Sequence, residues 1–312
     1  MKNAFLLIVH TNYDQLLQMM KCLDYAENDF YIHVNALVDN IPYGFLESEI
    51  CAAKIKYVKR HEIYWGGCGI LEASIELLKS ACSGGKYDYF HLLTGEDLPI
   101  KPYAEFRAFL EENIYKNKST IYKTNYIGGT TEFDNKKWAR VAHYNVGVKH
   151  WRDKNPLYRE FWKKTNRLLY YLQGRVGINR LRTQKMQLAF GSPWWSISDE
   201  FANYVIDHEN LLRRYYIKKW TFGADEFGIQ TLFHNSKFCS SVYRPPEGRS
   251  ANLREIDFER GNGLGSPYIW QMEDYETLTH SKNYFARKFS KSLDEEIIMQ
   301  ILGYIKMRSE EL

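Results

Sequence analysis

The pattern of apolar and polar positions in the first hundred residues predicts strands and helices in alternation. Residues 4–9 form an unbroken apolar run, and residues 30–34 and 55–58 are short segments rich in β-branched and aromatic side chains. Between the first two segments, apolar residues recur at helical spacing, at Leu16, Leu17, Met20 and Leu23. A strand, a helix and a strand in this order form a βαβ unit, so the first two strands are predicted to be parallel.

The same alternation continues to residue 93. Residues 70–78 carry apolar side chains on one helical face, and Gly84 and Gly85 are predicted to end that helix. Residues 87–93 follow as a fourth strand. The predicted fold class is therefore α/β, with an open, mostly parallel, twisted sheet flanked by helices.

Beyond the fourth strand, the pattern predicts more varied structure. Residues 115–185 are basic and rich in tyrosine and mix loops with helices. Residues 188–198 predict a turn leading into a strand, and residues 199–212 predict a helix. Residues 293–307 carry an apolar stripe, which predicts an amphipathic helix packed on the body.

We expect a single domain over residues 1–312. Residues 1–110 are expected to form a nucleotide-binding half and residues 111–290 an acceptor and catalytic half. Residues 291–312 are expected to form a closing helix. We find neither a convincing linker nor an internal repeat along the chain.

Composition and charge limit the classes of function that the chain can have. Hydrophobic residues make up 45% of the chain, enough for a substantial core. The net charge of +4 is too small for a nucleic-acid binder, but it suits an anionic small ligand or a loose attraction to anionic lipid. The longest apolar run is far shorter than the roughly 20 residues of a spanning helix. The five cysteines contain no C-x-x-C pair, which predicts free thiols in a cytoplasmic protein.

Polar side chains follow three of the predicted strands. The three polar stretches begin at His10, at His33 and at Thr94. Sheets of this class bind ligands at the carboxyl ends of their strands, which predicts a nucleotide site there. The alternative is that the strands simply end in polar loops. Glu96 and Asp97 lack the Asp-x-Asp spacing of a diphosphate-bound metal, so we assign no metal ligand.

Two further segments carry candidate chemistry. Asp225 and Glu226 precede an apolar helical stretch. Asp225 is predicted to cap that helix, and Glu226 in its first turn can take a proton from an attacking hydroxyl. Plain capping is the alternative for both acids. Arg254 and the basic pair in residues 284–289 can hold a diphosphate, or they are solvated surface charges.

Together, these segments resemble the core-2/I-branching β-1,6-N-acetylglucosaminyltransferase family, which also includes the peptide O-xylosyltransferases. The resembling segments occur in the family's order and are residues 30–34, 64–67, 87–100, 191–195, 225–226 and 285–289. The resemblance implies a GT-A-type fold, inversion at the anomeric carbon, and no need for a metal ion.

The resemblance also implies roles for particular residues. Glu226 is the implied general base, and Arg254 and Lys288 are implied to hold the donor diphosphate in place of a metal. Three residues at strand ends are assigned to binding of the donor: His10, Val34 and Asp97. The residues assigned to the acceptor side are Trp194, Trp195, Lys137 and Arg140, with Lys136 as a further candidate.

The predicted function is inverting transfer of a sugar, N-acetylglucosamine or xylose, from a UDP-sugar to a hydroxyl of a glycan acceptor, with no cofactor. The animal members have a membrane anchor and disulfides, and the sequence predicts neither for this chain, so their mucin-type acceptor is not carried over. We expect a bacterial role in surface polysaccharide synthesis, in the cytoplasm, with peripheral attachment to the inner membrane face and the oligomeric state left open. The alternatives are a noncatalytic nucleotide-sugar or glycan-binding protein and a nucleotide-sugar hydrolase.

Overall fold

Two sheets organise the molecule. The computed structural model describes residues 1–39, 41–117, 120–263 and 265–311. The strands in these ranges are β1 (Asn3–Val9), β2 (Asn28–Val34), β3 (Lys54–Tyr57), β4 (Tyr89–Thr94), β5 (Asp97–Pro99), β6 (Ser196–Ser198), β7 (Arg254–Ile256) and β8 (Phe285–Arg287). The larger sheet has the order β3-β2-β1-β4-β6, in which β1 to β4 are parallel and β6 is antiparallel to β4. The smaller sheet has the order β5-β8-β7.

Helices cover both faces of the larger sheet. Those in the same ranges are α1 (Tyr13–Lys21), α2 (Tyr43–Glu49), α3 (Gly69–Gly84), α4 (Tyr103–Glu112), α5 (Asn135–Ala142), α6 (Pro156–Arg175), α7 (Asp199–Asp207), α8 (Glu209–Tyr215), α9 (Gly228–His234), α10 (Tyr275–His280) and α11 (Glu295–Glu310). Short 3-10 helices include Val148–His150 and Ala224–Glu226.

The alternation of side chains along β1 divides the core into two layers. Phe5 and Leu7 point into a cluster formed with α1, α4 and α11. Leu6 and Ile8 point into a cluster formed with α3, α7 and α9. Because successive strand residues face opposite sides, one fully buried strand supports both layers.

The predicted fold class is confirmed: the chain is α/β, with an open, mostly parallel sheet flanked by helices. The first four predicted strands agree with β1 to β4 to within two residues at each end. The predicted parallel pairing of β1 with β2 is confirmed. The predicted closing helix is α11, which begins after Asp294, whose side chain caps it.

Two stretches differ from the prediction. The helix predicted over residues 199–212 is divided into α7 and α8 at His208, whose ring stacks on Tyr204 at 3.9 Å between ring centroids. The basic, tyrosine-rich middle of the chain contains α6, a helix of 20 residues that the sequence did not delimit.

In the described ranges, no helix is both long enough and apolar enough to cross a bilayer. All five cysteines are free thiols, as predicted.

Candidate active site

A cavity of about 580 Å³ lies at the carboxyl ends of the parallel strands. His10 follows β1, Asn35 follows β2 and Glu96 follows β4, and all three line this cavity. Parallel strands end at the same edge of a sheet, so residues far apart in sequence meet there. We call this space the first cavity.

The acidic side of the first cavity is formed by Asp225 and Glu226, which both line it. The prediction that Asp225 caps a helix is wrong: α9 begins at Gly228 after Phe227, and no side chain caps it. The two acids instead lie in a 3-10 helix that follows Gly223, whose φ is +67°. This left-handed turn, which glycine adopts readily, directs the acids towards the cavity.

An arginine holds the Glu226 carboxylate. The guanidinium of Arg140 is 2.5 Å from Glu226 and lies 4.7 Å from the centroid of the Phe222 ring. A side chain at Gly223 would collide with that guanidinium. The ion pair and the ring contact together fix the direction in which Glu226 points.

Asp225 has a different electrostatic environment. Burial, and then the negative charge of Glu226, raise the pKa of Asp225 to about 7. Asp225 therefore carries a proton over part of the neutral range. The two adjacent acids are not equivalent, although the sequence presents them as a pair.

The raised pKa of Asp225 predicts a pH-dependent cost in stability. The folded-state pKa of about 7 lies above the ordinary 3.8, so the contribution of Asp225 to stability falls as pH rises from about 4 to about 7 and then levels off. Asp225→Asn removes this cost. We expect it to raise the free energy of unfolding by about 1–3 kcal/mol at about pH 8, with little gain near about pH 4.

Denaturant unfolding of the Asp225→Asn variant at both pH values measures this effect. Asp207→Asn, at an exposed position, is the matched control and should change little at either pH. A gain of the same size at both pH values would contradict the assigned titration.

Another part of the wall of the first cavity is cationic. Arg287 and Lys288, at the end of β8, both line it. Arg287 donates hydrogen bonds to Asp97 and Glu96 at 3.1 Å each, and Lys288 contacts Glu96 at 3.4 Å. The Arg287 guanidinium also lies 4.6 Å from the centroid of the Trp194 ring. These contacts hold both cations in place at the cavity wall.

The two acids that hold these cations differ in position: Glu96 lines the cavity and Asp97 lies behind its wall. Asp97 is buried, accepts a hydrogen bond from the Thr94 amide at 2.5 Å and does not line the cavity. Asp97 was predicted to bind the donor, but the structure places it behind Arg287, outside the lining of the cavity. Burial opposes ionisation of Glu96, but the positive charges of Arg287, Lys288 and His10 lower its pKa below the ordinary value.

Arg254 was predicted to hold the donor diphosphate, but the structure places it away from the first cavity. Arg254 is only 2% exposed and does not line the first cavity. Its guanidinium donates to the carbonyls of Leu92 and Trp195 at 2.9 Å each and to the hydroxyl of Ser196. It therefore links β7 to β4 and β6, and Arg287 is the cation that lies beside Lys288 at the cavity.

Replacing Arg254 should mainly reduce stability. Arg254→Met would remove the hydrogen bonds that the buried guanidinium donates to the carbonyls of Leu92 and Trp195, so we expect the free energy of unfolding to fall by about 3 kcal/mol or more. Thermal and denaturant unfolding measure the change, with the exposed Arg244→Met as the matched control. A variant of full stability that no longer bound donor would restore Arg254 to the binding site.

Three further predicted residues lie outside the first cavity. Val34 and Trp195 are buried in the two core layers, and Asn35 lines the cavity in place of Val34. Lys137 packs its ammonium 4.6 Å from the centroid of the Phe190 ring. Of the predicted site residues, those that line the first cavity are His10, Arg140, Trp194, Glu226 and Lys288.

Several residues of the cavity wall have no role predicted from the sequence. Tyr64 and Trp65 line it, in a segment already noted for its resemblance to the family. Asn35 fixes this segment, since its amide donates to the Ile63 carbonyl at 2.8 Å and its side-chain oxygen accepts from the Ile63 amide at 3.0 Å. Arg152, in the basic middle of the chain, also lines the cavity, and no motif marked it.

A second cavity, of about 780 Å³, adjoins the first. Trp65 and Arg152 line both cavities, and the Arg152 guanidinium lies 4.2 Å from the centroid of the Trp65 ring. The rest of the second cavity is formed by Trp151 and by residues of α6, namely Arg159, Lys163, Asn166, Arg167 and Tyr170.

An open, parallel-rich sheet with a polar cavity at the carboxyl ends of its strands defines a class of α/β proteins that bind their ligand at this edge. Within this class, the chain belongs to the Core-2/I-branching enzyme family, whose model matches residues 3–245. Glu226 and Arg140 lie within the matched region, and Arg287 and Lys288 lie beyond it.

Curated relatives are similar at low identity. The chain is 23% identical over 308 residues to xylosyltransferase oxt of Drosophila melanogaster, which covers 92% of this chain and 31% of that protein. It is 23% identical over 323 residues to xylosyltransferase 2 of Rattus norvegicus, with coverage of 96% and 33%. It is 23% identical over 311 residues to the N-acetyllactosaminide beta-1,6-N-acetylglucosaminyl-transferase of Mus musculus, with coverage of 92% and 68%. The chain thus spans about a third of the length of these two xylosyltransferases.

Proposed function

We propose that this chain is an inverting glycosyltransferase that moves a sugar from a UDP-sugar to a hydroxyl of a glycan acceptor. The observation that supports it most is that Glu226 lines the same cavity as Arg287 and Lys288. Membership of the Core-2/I-branching enzyme family supports the same reaction class.

In the proposed reaction, Glu226 removes the proton of the acceptor hydroxyl. The oxygen then attacks the anomeric carbon on the side opposite the nucleotide, which inverts that centre. Arg140 orients the Glu226 carboxylate through their 2.5 Å ion pair. One proton moves to Glu226, one glycosidic bond forms, and the bond to the diphosphate breaks.

The leaving diphosphate gains negative charge as its bond to the sugar breaks. Arg287 and Lys288 would balance that charge, and the planar guanidinium of Arg287 can offer two parallel hydrogen bonds to phosphate oxygens. Glu96, Asp97 and Trp194 hold these cations in position before the donor arrives. Little rearrangement is then needed during the reaction, which is the condition for electrostatic stabilisation of a transition state.

We further propose that no metal ion takes part. Glu96 and Asp97, the acids at the position where a diphosphate-bound metal would be held, are engaged by Arg287 and Lys288. Across the described ranges, no three His, Cys, Asp or Glu side chains are grouped as metal ligands.

A chelator should therefore leave the rate of sugar transfer unchanged. The expected result is equal turnover, within about 20%, with and without excess EDTA, because fixed cations supply the charge that a metal would otherwise provide. Loss of activity that manganese restores would contradict this prediction and would make Glu96 and Asp97 metal ligands.

The donor sugar is proposed to be N-acetylglucosamine or xylose, since relatives named for both transfers match this chain. The acceptor is proposed to be a bacterial surface glycan assembled at the cytoplasmic face of the membrane. The second cavity supports a large acceptor, because its aromatic and basic wall continues from the first cavity through Trp65 and Arg152.

A panel of UDP-sugars tests the proposal by thermal stabilisation and by release of UDP. A donor at 100 times its Kd should stabilise the native state by about 2.7 kcal/mol. Release of UDP that rises when a glycan acceptor is added supports transfer. Release that no acceptor increases would instead indicate a nucleotide-sugar hydrolase, and stabilisation without release would indicate a noncatalytic binding protein.

A further inference from the structure

Helix α6 presents an apolar stripe to solvent. Leu157 is 82% exposed, Phe161 58%, Leu168 59% and Leu172 46%. Their spacing of four, seven and four residues puts them on one side of the helix, and Val176, just beyond its end, is 73% exposed. An exposed apolar stripe of this length marks a surface that contacts a protein partner or a membrane.

The opposite side of α6 is anchored to the body of the protein. The side-chain oxygen of Asn166 accepts a hydrogen bond from the Val146 amide at 2.8 Å. The Gln173 side chain bonds both backbone groups of Tyr144, at 2.7 and 2.9 Å. These bonds fix the rotation of the helix, so its apolar stripe stays on the outside.

The segment of the chain that contains the stripe is strongly basic, although Arg159, Lys163 and Arg167 of α6 line the second cavity. Residues 152–185 contain ten Lys and Arg residues and two acids, a net charge of +8 in a chain whose total is +4. In α6 itself, Glu160 is the one acid among five cations, which are Arg159, Lys163, Lys164, Arg167 and Arg175. Lys164 and Arg175 are exposed on the same side as the stripe.

We propose that α6 docks this protein on the surface of an anionic phospholipid bilayer. The apolar stripe enters the boundary between headgroups and acyl chains, while Lys164 and Arg175 lie level with the lipid phosphates. Tyr158 and Tyr171, 41% and 55% exposed, have the amphipathic rings that favour this interface.

The charge of this surface argues against self-association as the use of the stripe. Two copies of α6 placed face to face would bring the Lys164 and Arg175 side chains of both copies together, and like charges repel. An anionic bilayer instead satisfies both the apolar stripe and the cations around it. The proposal goes beyond sugar transfer and does not depend on it, because vesicle binding requires no turnover.

Sedimentation of the full chain with lipid vesicles tests the proposal. We expect binding to phosphatidylcholine vesicles that contain about 30 mol % phosphatidylglycerol, weak binding to phosphatidylcholine alone, and release as salt is raised. The double variant Phe161→Ser with Leu168→Ser should weaken partitioning by about tenfold or more, through loss of buried apolar area. The double variant Lys164→Glu with Arg175→Glu should remove the preference for anionic lipid.

Substitutions at exposed apolar positions elsewhere are the matched control. Ile121→Ser with Met299→Ser, at side chains 82% and 53% exposed, should leave vesicle binding unchanged. Circular dichroism and thermal unfolding confirm that each variant is folded. The proposal is overturned if folded wild type ignores anionic vesicles at low salt or if the stripe variants bind as well as wild type. It is equally overturned if Phe161 and Leu168 support a dimer in solution instead of vesicle binding.

Discussion

Glu226→Gln is expected to lower kcat by about 10²–10⁴-fold while the donor Kd changes by no more than about twofold. The amide cannot accept the proton of the acceptor hydroxyl, but its oxygen can still accept a hydrogen bond from Arg140. The Glu226 side chain is 30% exposed, so the substitution should cost little stability. Initial-rate kinetics with the best UDP-sugar and titration of UDP binding measure the two quantities separately.

Two companion variants make the Glu226 result specific. Glu132→Gln, at an exposed position outside the first cavity, should retain full activity. Asp225→Asn tests the neighbouring acid directly, because Asp225 has the raised pKa. A much larger loss of kcat in Asp225→Asn than in Glu226→Gln would transfer the role of base to Asp225. Unchanged kcat in both variants would remove the pair from the mechanism.

Arg287→Ala should raise the Kd for UDP by about 10–100-fold and lower kcat/KM by about 10²–10³-fold. The variant removes a cation from the cavity wall and a guanidinium that can contact two phosphate oxygens at once. Lys288→Ala should show a loss of the same kind. Isothermal titration with UDP and steady-state kinetics with the donor measure these effects.

The Arg287 series contains its own controls. Arg287→Lys keeps the charge and loses the planar fork, so it should recover part of the affinity. Lys291→Ala removes a cation that pairs with Asp14 and Glu295 outside the cavity, and it should bind donor normally. Normal UDP affinity in Arg287→Ala would contradict the proposal that Arg287 and Lys288 bind the diphosphate.

The parts of the fold that the sequence predicts well are those with long, uniform patterns. β1 is fully buried over seven residues, and the helices beside it show a clear period, so both leave a strong signal. Strands β6, β7 and β8 contain three residues each, too few to show any alternation. β6 pairs with β4 and β8 with β5, strands more than 90 residues away in sequence, and β7 is placed only through its pairing with β8, which composition does not reveal.

Only part of the candidate site could be predicted, because pairing between distant strands also decides which cations reach the cavity. Arg254 and Arg287 look alike in sequence, since each lies beside apolar residues in a short β segment. They differ in position within the smaller sheet. Arg254 is the first residue of β7 and bonds to the larger sheet, whereas Arg287 is the last residue of β8 and lines the cavity. Only tertiary structure separates a buried arginine that links strands from one that faces a ligand.

Glycine geometry accounts for the error at Asp225. Asp and Glu before an apolar run usually indicate a helix start. Here the left-handed turn at Gly223 starts a 3-10 helix that contains both acids, and Phe227 separates that helix from α9. The period of α6 is visible in the sequence, but which side of that helix faces the body is decided by contacts with residues 144–150.

The pairing of β8 with β5 has a consequence for synthesis on the ribosome. Asp97 lies opposite Arg287, so two residues that meet at the cavity leave the ribosome nearly 200 residues apart. The larger sheet can assemble once β6 has emerged, while Arg287 and Lys288 are still untranslated. A nascent chain can therefore contain Asp225 and Glu226 before Arg287 and Lys288 are made, so the proposed diphosphate site would be the last part of the first cavity to be completed.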